Sequence, residues 1–331
     1  MAALAPGGAP WPGAAAVSGG GDSLALMLLL ADWARAKSLP PPIVLIVDHG
    51  LRPQSTAEAK AAAGAAGAAG LKSQVLVWRG AKPEADIEAA AREARYRLMG
   101  QWCRGHGLKA LYVAHNREDL AETFLLRLAR GSGLDGLAAM PPLAPFPLPG
   151  FEGLAVARPL LSVSRSELRD FLTARGIGWA EDTMNAEPRF ARARLRAAWP
   201  ELEKLGLAPG RIAAAARHLA RARETLEAAT AQFLADHSHF KNEVLALDGA
   251  ALAALPRELG LRVLAAALGR VSGAAYRPRF ERLERLYEAI AAGELARGRT
   301  LLGCRIAPAA RRNACFGPAT LSVSREPPRK I

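Results

Sequence analysis

The chain has 331 residues, half of them hydrophobic, with a formal net charge of +13 and a pI near 10.4; that is ample for two domains with real cores. Three widely spaced cysteines (Cys103, Cys304 and Cys315) exclude a disulfide framework or a C-x-x-C metal site, and no apolar run approaches the ~20 residues of a membrane span. The chain therefore reads as a soluble, cytoplasmic protein whose basic balance asks for a polyanionic partner, nucleic acid first, against the competing explanation of an arginine-rich composition throughout.

In chain order, a short apolar run from Ala14 to Val17 enters the hexamer Ser18-Gly19-Gly20-Gly21-Asp22-Ser23, which runs straight into Leu24–Leu30. This spells strand, glycine turn, helix. Three successive glycines permit backbone conformations that point consecutive N–H groups into one concavity, and a helix N-terminus behind them adds partial positive charge. Such a nest suits phosphate. It has neither the lysine of the G-x-x-x-x-G-K-[ST] loop nor the G-x-G-x-x-G spacing. Asp22 is anomalous in an anion pocket unless a divalent metal stands between carboxylate and phosphate.

Ile43–Val47 is a continuous apolar run ending at Asp48-His49-Gly50, as expected of a strand buried on both faces. An alanine-rich helix is expected from about Ser55, a strand over Ser73–Val77, and a long Glu- and Arg-rich helix over 84–104. Leu111–Ala114 then reads as a strand ending at His115, with a helix over Leu120–Arg130. Strands alternating with helices predict an α/β fold with a doubly wound parallel sheet, and ligands then bind beyond the carboxyl ends of the strands. Ser18–Ser23, Asp48-His49 and the segment from His115 to Glu122 all fall at such ends. Pro141–Gly150 is expected to be a mobile proline-rich loop. The domain boundary is placed at 200/201. A smaller, mainly helical accessory domain follows, with a long helix over Arg211–Asp236, further helices around 249–270 and 278–292, and short strands from Arg299.

The hexamer resembles the S-G-G-x-D-S pyrophosphate loop of the ATP pyrophosphatases. Further segments narrow the likeness: Val47–Arg52, Glu88–Tyr96, Ala114–Thr123, Arg130–Leu137 and Glu181–Asn185. Together, in register over about residues 14–200, they are similar to the tRNA(Ile)-lysidine synthases, in the shorter form with one accessory domain. The resemblance implies a Rossmann-like PP-loop domain and ATP as cosubstrate. It further implies Mg²⁺ held by Asp22 and adenylation of the wobble cytidine of tRNA(Ile) with a CAU anticodon. Free L-lysine would then displace AMP to give lysidine. A second copy of the chain, in a homodimer, is a further candidate partner.

Carried onto this sequence, the resemblance assigns Ser18, Gly19, Gly20, Gly21, Asp22, Ser23, Asp48 and His49 to ATP binding. Asp22, Asp119, Glu122 and Asn185 are assigned to catalysis, with Asp119 and Glu122, three apart on one helix face, handling lysine and its proton. Ordinary helix N-terminal charge is the competing reading of that acidic pair. Arg127, Arg130, Arg189, Arg192, Arg194 and Arg196 are candidates for tRNA phosphate contacts and the accessory domain for tRNA binding. Two departures stand out. Glu118-Asp119-Leu120 replaces an Asp-Asp-Gln common in the family, and Ala193 stands where the pattern R-N-R-I-R has asparagine. The rivals are a tRNA thiolase of the same PP-loop class, which needs a reactive cysteine near the nest, and a non-catalytic RNA-binding module.

Overall fold

The computed structural model describes residues 10–326 apart from 52, 81, 84–85, 181–190, 275 and 277. The apolar run before the glycine hexamer forms β1 (Gly13–Ala16), and α1 (Gly21–Ala36) starts inside the hexamer, three residues before its apolar stretch. There follow β2 (Ile43–Asp48), α2 (Ser55–Ala68), β3 (Ser73–Val77), α3 (Ile87–Gly105), β4 (Ala110–Tyr112) and α4 (Arg117–Leu128). After these come α5 (Leu134–Leu137), β5 (Leu143–Pro145), β6 (Ala155–Ala157), α6 (Arg165–Thr173), α7 (Ala191–Lys204) and α8 (Pro209–His237).

The sheet order is β3-β2-β1-β4-β6-β5, parallel throughout except for the antiparallel edge strand β5. Side chains alternate faces along each strand. Ala15, Val44, Ile46, Ala110 and Tyr112 pack with residues of α1, α2 and α6, while Ala14, Leu45 and Leu111 pack with Tyr96, Met99 and Cys103 of α3. Burial on both faces explains why β2 reads as an unbroken apolar run. From β1 the chain builds outward to β2 and β3 on one side and to β4 and β6 on the other. The reversal falls between β1 and β4, and a crevice opens there at their carboxyl ends.

Pro141–Gly150 is not the free loop expected. It carries β5, and Phe146 is buried against the Tyr96 ring, 5.7 Å between centroids, and tilted against Phe151. The prolines suit an edge strand, where one side of the backbone needs no ladder bond.

The chain divides into two compact units, Met1–Ala220 and Arg221–Ile331, twenty residues later than the expected boundary at 200/201. The first turns of α8 cause the shift: Ala213 and Ala216 are buried with Leu120 of α4 and Ala139, and the Ala139 N–H donates to the Ala216 carbonyl at 2.9 Å. The second unit adds β7 (Ser238–Lys241), β8 (Val244–Asp248), α9 (Gly249–Ala253), α10 (Arg257–Ser272), α11 (Phe280–Ala291), β9 (Arg299–Leu301), β10 (Cys304–Pro308) and β11 (Thr320–Arg325). Its five strands form one antiparallel sheet, β7-β8-β11-β10-β9. The unit is mainly helical with strands from Arg299, as expected, and β7 and β8 extend those strands into a five-stranded sheet. Leu283, Leu286, Tyr287 and Ile290 make the buried stripe of α11, packed with Leu264 and Leu268 of α10 and Ile306 and Val323 of the sheet.

Candidate active site

The glycine hexamer sits at the carboxyl end of β1, its turn built on Gly19 at φ +90° and on Gly20, whose extended backbone (φ −73°, ψ 156°) opens α1. A side chain at Gly19 would hold an L-residue in a disfavoured conformation. At Gly21 a Cβ would press on the Trp179 ring at 3.3 Å, so glycine there keeps backbone and indole in contact. The first N–H groups of α1 lack intrahelical partners, which leaves its N-terminus facing the crevice as a donor surface.

The two serines divide their work. Ser23 Oγ accepts from the Ser18 N–H at 3.1 Å and donates to the Gly20 carbonyl at 2.8 Å. Its single proton is spent inside the loop, so in this arrangement Ser23 locks the nest rather than offering a donor to phosphate. Ser18 Oγ lies 3.3 Å from it.

Asp22, in the first turn of α1, accepts from Asn116 Nδ2 at 2.9 Å, and Arg165 Nε is 3.5 Å from the same oxygen. Asn116 is fully buried at the carboxyl end of β4 and caps α4: its Oδ1 accepts from the Asp119 N–H and Asp119 Oδ2 accepts from the Asn116 N–H, both at 3.0 Å. One buried amide therefore ties Asp22 to Asp119 across the β1–β4 crevice. One turn further along α4, Glu122 is 3% exposed and takes a bidentate pair from Arg196 of α7, at 2.6 and 3.0 Å. Arg165 Nη2 stands 3.9 Å from both Asp119 and Glu122, and Arg192 Nε 4.0 Å from Glu122. Three strand ends, those of β1, β4 and β6, thus supply Asp22, the Asn116–Asp119–Glu122 set and Arg165.

Burial is the main reason that the Asp22 carboxyl is held above its ordinary value, with Arg165 opposing and the neighbouring Asp119 charge adding to the rise. A carboxylate kept uncomfortable in this way is one that a divalent cation would relieve. With one or two carboxylates beside a phosphate nest, the donor set fits Mg²⁺, which characteristically takes few protein ligands plus phosphate oxygens.

Asp48, at the end of β2, is buried and fully engaged: it accepts from the Gly50 N–H at 3.0 Å, Ser55 Oγ at 2.5 Å and Thr56 Oγ1 at 2.7 Å. These bonds, the serine's first, hold it below the usual carboxylate range. Its carboxylate shapes the β2–α2 turn, with both oxygens engaged there. His49 and His115 lie at the ends of β2 and β4, each with Nδ1 buried and unpartnered among the described residues. His49 packs edge-on against Trp78. Burial, with Arg95 next, lowers His49 to about 4; burial, then Arg158, Arg92, Arg95 and Arg192, lowers His115 to about 3.

Because both folded values lie below the ordinary 6.5, folding favours the neutral rings. Their contribution to stability is complete above pH 6.5 and is lost as pH falls toward 4 and then 3. Thermal melts from pH 7.5 to 5 should show Tm falling with acidity, and the fall should be shallower in His115→Gln.

Of the predicted arginines, Arg196 is the partner of Glu122, to which it gives two of its donors. Arg127 Nη1 donates to the Gly136 carbonyl at 2.8 Å and braces the turn after α4. Arg130, Arg192 and Arg194 are exposed. Asn185 and Arg189 lie outside the described residues. Ala193 is buried on α7, which fits the small side chain found there. Glu118 has a role after all: its carboxylate accepts from the Arg165 N–H at 2.9 Å and so fixes the start of α6.

A family model described as a PP-loop domain matches residues 13–202. Relatives named tRNA(Ile)-lysidine synthase are similar along most of the chain. That of Methylobacterium nodulans is 42% identical over 332 residues, covering 96% of this chain and 93% of the relative. That of Bradyrhizobium diazoefficiens is 40% identical, covering 88% and 82%, and that of Ruegeria pomeroyi 38%, covering 90% and 69%. The chain belongs to the tRNA(Ile)-lysidine synthase family.

Among solved structures, the U34-tRNA thiolase NcsA of Methanococcus maripaludis, bound to its 4Fe–4S cluster, is similar at a TM-score of 0.54 and 17% identity, covering 67% of this chain and 76% of that one. That likeness concerns the fold. Of the cysteines, Cys103 is buried in the core of the first unit with its thiol pushed up to about 12, Cys304 is buried in the second unit, and Cys315 is exposed in that unit. The family motifs alone did not single out Asn116 or Arg165. Asn116 lies within the quoted Ala114–Thr123 segment, so it was visible as a motif member. Only the packing showed what the two touch.

Proposed function

We propose that this enzyme joins free L-lysine to C2 of the wobble cytidine of tRNA(Ile) with a CAU anticodon, a carbon–nitrogen ligation driven by ATP. The observation that carries the reading is the Asp22–Asn116–Asp119 connection across the β1–β4 crevice, which puts an acidic cluster against a phosphate nest in a lysidine synthase family chain.

In the first step the cytidine C2 oxygen attacks the α-phosphorus of ATP and pyrophosphate leaves. Cytosine oxygen is a poor leaving group, and adenylation makes it a good one. The backbone donors of Gly19–Gly21 and the α1 N-terminus stabilise the charge that grows on pyrophosphate. Asp22 would hold Mg²⁺, which when bound neutralises phosphate charge.

In the second step the lysine amine forms the bond to C2, AMP departs with the C–O electron pair, and the nitrogen gives up a proton. At pH 7 only roughly one lysine amine in a few thousand is neutral, so a proton acceptor at the site matters. Both oxygens of Glu122 are taken by Arg196, whereas Asp119 Oδ1 has only the more distant Arg165 guanidinium near it. Asp119 is therefore the better acceptor and Glu122 the anchor. Exposed Arg130, Arg192 and Arg194 suit contacts to tRNA phosphates. Anticodon-loop bases are unpaired, so splaying the cytidine out costs little.

The test is incubation with ATP, labelled lysine and CAU-bearing tRNA(Ile), followed by nuclease digestion to locate the label. Label at the wobble cytidine is expected. Sulfur incorporation from a thiol donor with no lysine on the RNA would replace this reading by the thiolase one.

A further inference from the structure

The second unit carries a charge arrangement that its own fold does not explain. The buried stripe of α11 is flanked on one side by Glu284 and Glu288, which share Arg257 at 2.9 and 2.8 Å. The other flank presents Arg282 and Arg285, one turn apart. These two and Arg299, on the neighbouring edge strand β9, border one open concavity of about 280 Å³, whose wall is completed by Leu286, Thr300 and Leu301. Among the described residues no carboxylate pairs with any of the three arginines. Arg299 Nη1 reaches only the Arg285 carbonyl, at 3.4 Å. Glu281, the remaining acid of α11, adjoins Arg282 and lies one turn before Arg285, and makes no ion pair with either.

Like charges gathered around a hollow oppose one another, and Glu284 and Glu288 are turned to the far flank and held there by Arg257, while Glu281 pairs with none of the three arginines. We propose that this concavity between α11 and β9 is a seat for the backbone phosphates of RNA. Guanidinium forks match phosphate oxygens in pairs. The lining has a single hydroxyl and no aromatic ring on which a base could stack, so the seat holds backbone and does not read sequence. It lies outside the cluster around Asp22 and takes part in no chemical step. The proposal rests on tRNA being the substrate, and it assigns three particular residues of the accessory unit to holding that tRNA.

The test uses the full chain and measures binding of tRNA(Ile), and of an unrelated hairpin RNA, between 50 and about 200 mM salt. In Arg282→Gln/Arg285→Gln/Arg299→Gln, affinity for both RNAs should fall about tenfold at the lower salt. The slope of log K against log[salt] should become shallower by about 1–2, as expected for one or two lost phosphate contacts. KM for tRNA should rise with kcat unchanged. The corresponding triple Lys variant, which keeps the charge, should retain most of the slope. Arg35→Gln/Lys204→Gln, which removes two exposed positive charges from the catalytic unit, should leave it unaltered. A triple Gln variant with wild-type affinity and slope overturns the seat, even if the tRNA is still modified. A wild-type chain that binds both RNAs with the expected slope but adds no lysine overturns the lysidine reading and leaves the seat standing.

Discussion

Asp22→Asn is expected to abolish tRNA-dependent exchange of pyrophosphate into ATP, by on the order of a hundredfold or more, while leaving the protein at least as stable as the wild type. The two halves of that result have one cause. Asn keeps the size of Asp and can still accept from Asn116 Nδ2, so the tie across the crevice survives. What disappears is a carboxylate that burial and the Asp119 charge make unfavourable in the folded chain. A group whose folded pKa is raised destabilises the fold when it is ionised at neutral pH, so removing the charge relieves the fold. A residue that costs stability and is indispensable to turnover is held for chemistry, since stability alone would favour the amide. Pyrophosphate exchange and a thermal melt on the same preparation decide the matter. Undiminished exchange would remove Asp22 from the activation step, and a large fall in Tm would make it a structural residue.

Glu122→Gln should behave in the opposite way. The glutamate is nearly inaccessible, binds Arg196 through both oxygens, and has the guanidinium groups of Arg165 and Arg192 at 3.9 and 4.0 Å. Its neutral replacement leaves three arginines converging on a site without its main counter-charge. Breaking a buried pair costs ~3–5 kcal/mol. Arg196 keeps some access to water, so the lower end, about 3 kcal/mol, is expected. For a unit of this size that lowers Tm by roughly 6–12 °C. Glu122→Met combined with Arg196→Met should recover much of the loss, because the uncompensated charge goes with its partner, yet activity should stay low in both variants. If Glu122→Gln melts like the wild type while losing activity, the residue belongs to lysine binding directly and its pairing with Arg196 is incidental.

The two cases show how differently the acidic residues could be read beforehand. Asp119 and Glu122 are equivalent on paper, three apart at a helix start with the same charge. Folding separates them: Asp119 closes a capping box with Asn116, and Glu122 is claimed by an arginine 74 residues later. In the same way Ser18 and Ser23 look alike in the hexamer, but one hydroxyl is consumed by the loop. The elements that were legible carry their cause locally. Ser73–Val77 and the start of α2 at Ser55 fall where expected, and β2 and α3 within a few residues, because apolar runs and helical periodicity act over a few neighbours. The β7–β8 hairpin escaped notice because its turn is Asn242-Glu243, both at positive φ, and a glutamate there gives no turn signal comparable to Asn-Gly. β5 and β6, three residues each, lack the length for a period to register.

From the residues alone, then, came the phosphate-binding turn, the parallel α/β order and the family likeness. All of these rest on short-range backbone geometry or on motifs read in register. The arrangement in space added what no local pattern encodes: Asn116 bridging the crevice, Arg165 among three carboxylates, Arg196 closing on Glu122, and a unit boundary inside α8. The first three are contacts between segments brought together at the sheet reversal, and the boundary follows from the packing of the first turns of α8 on Leu120 and Ala139. The energy of such a contact depends on burial and distance, which become defined only once the chain has folded.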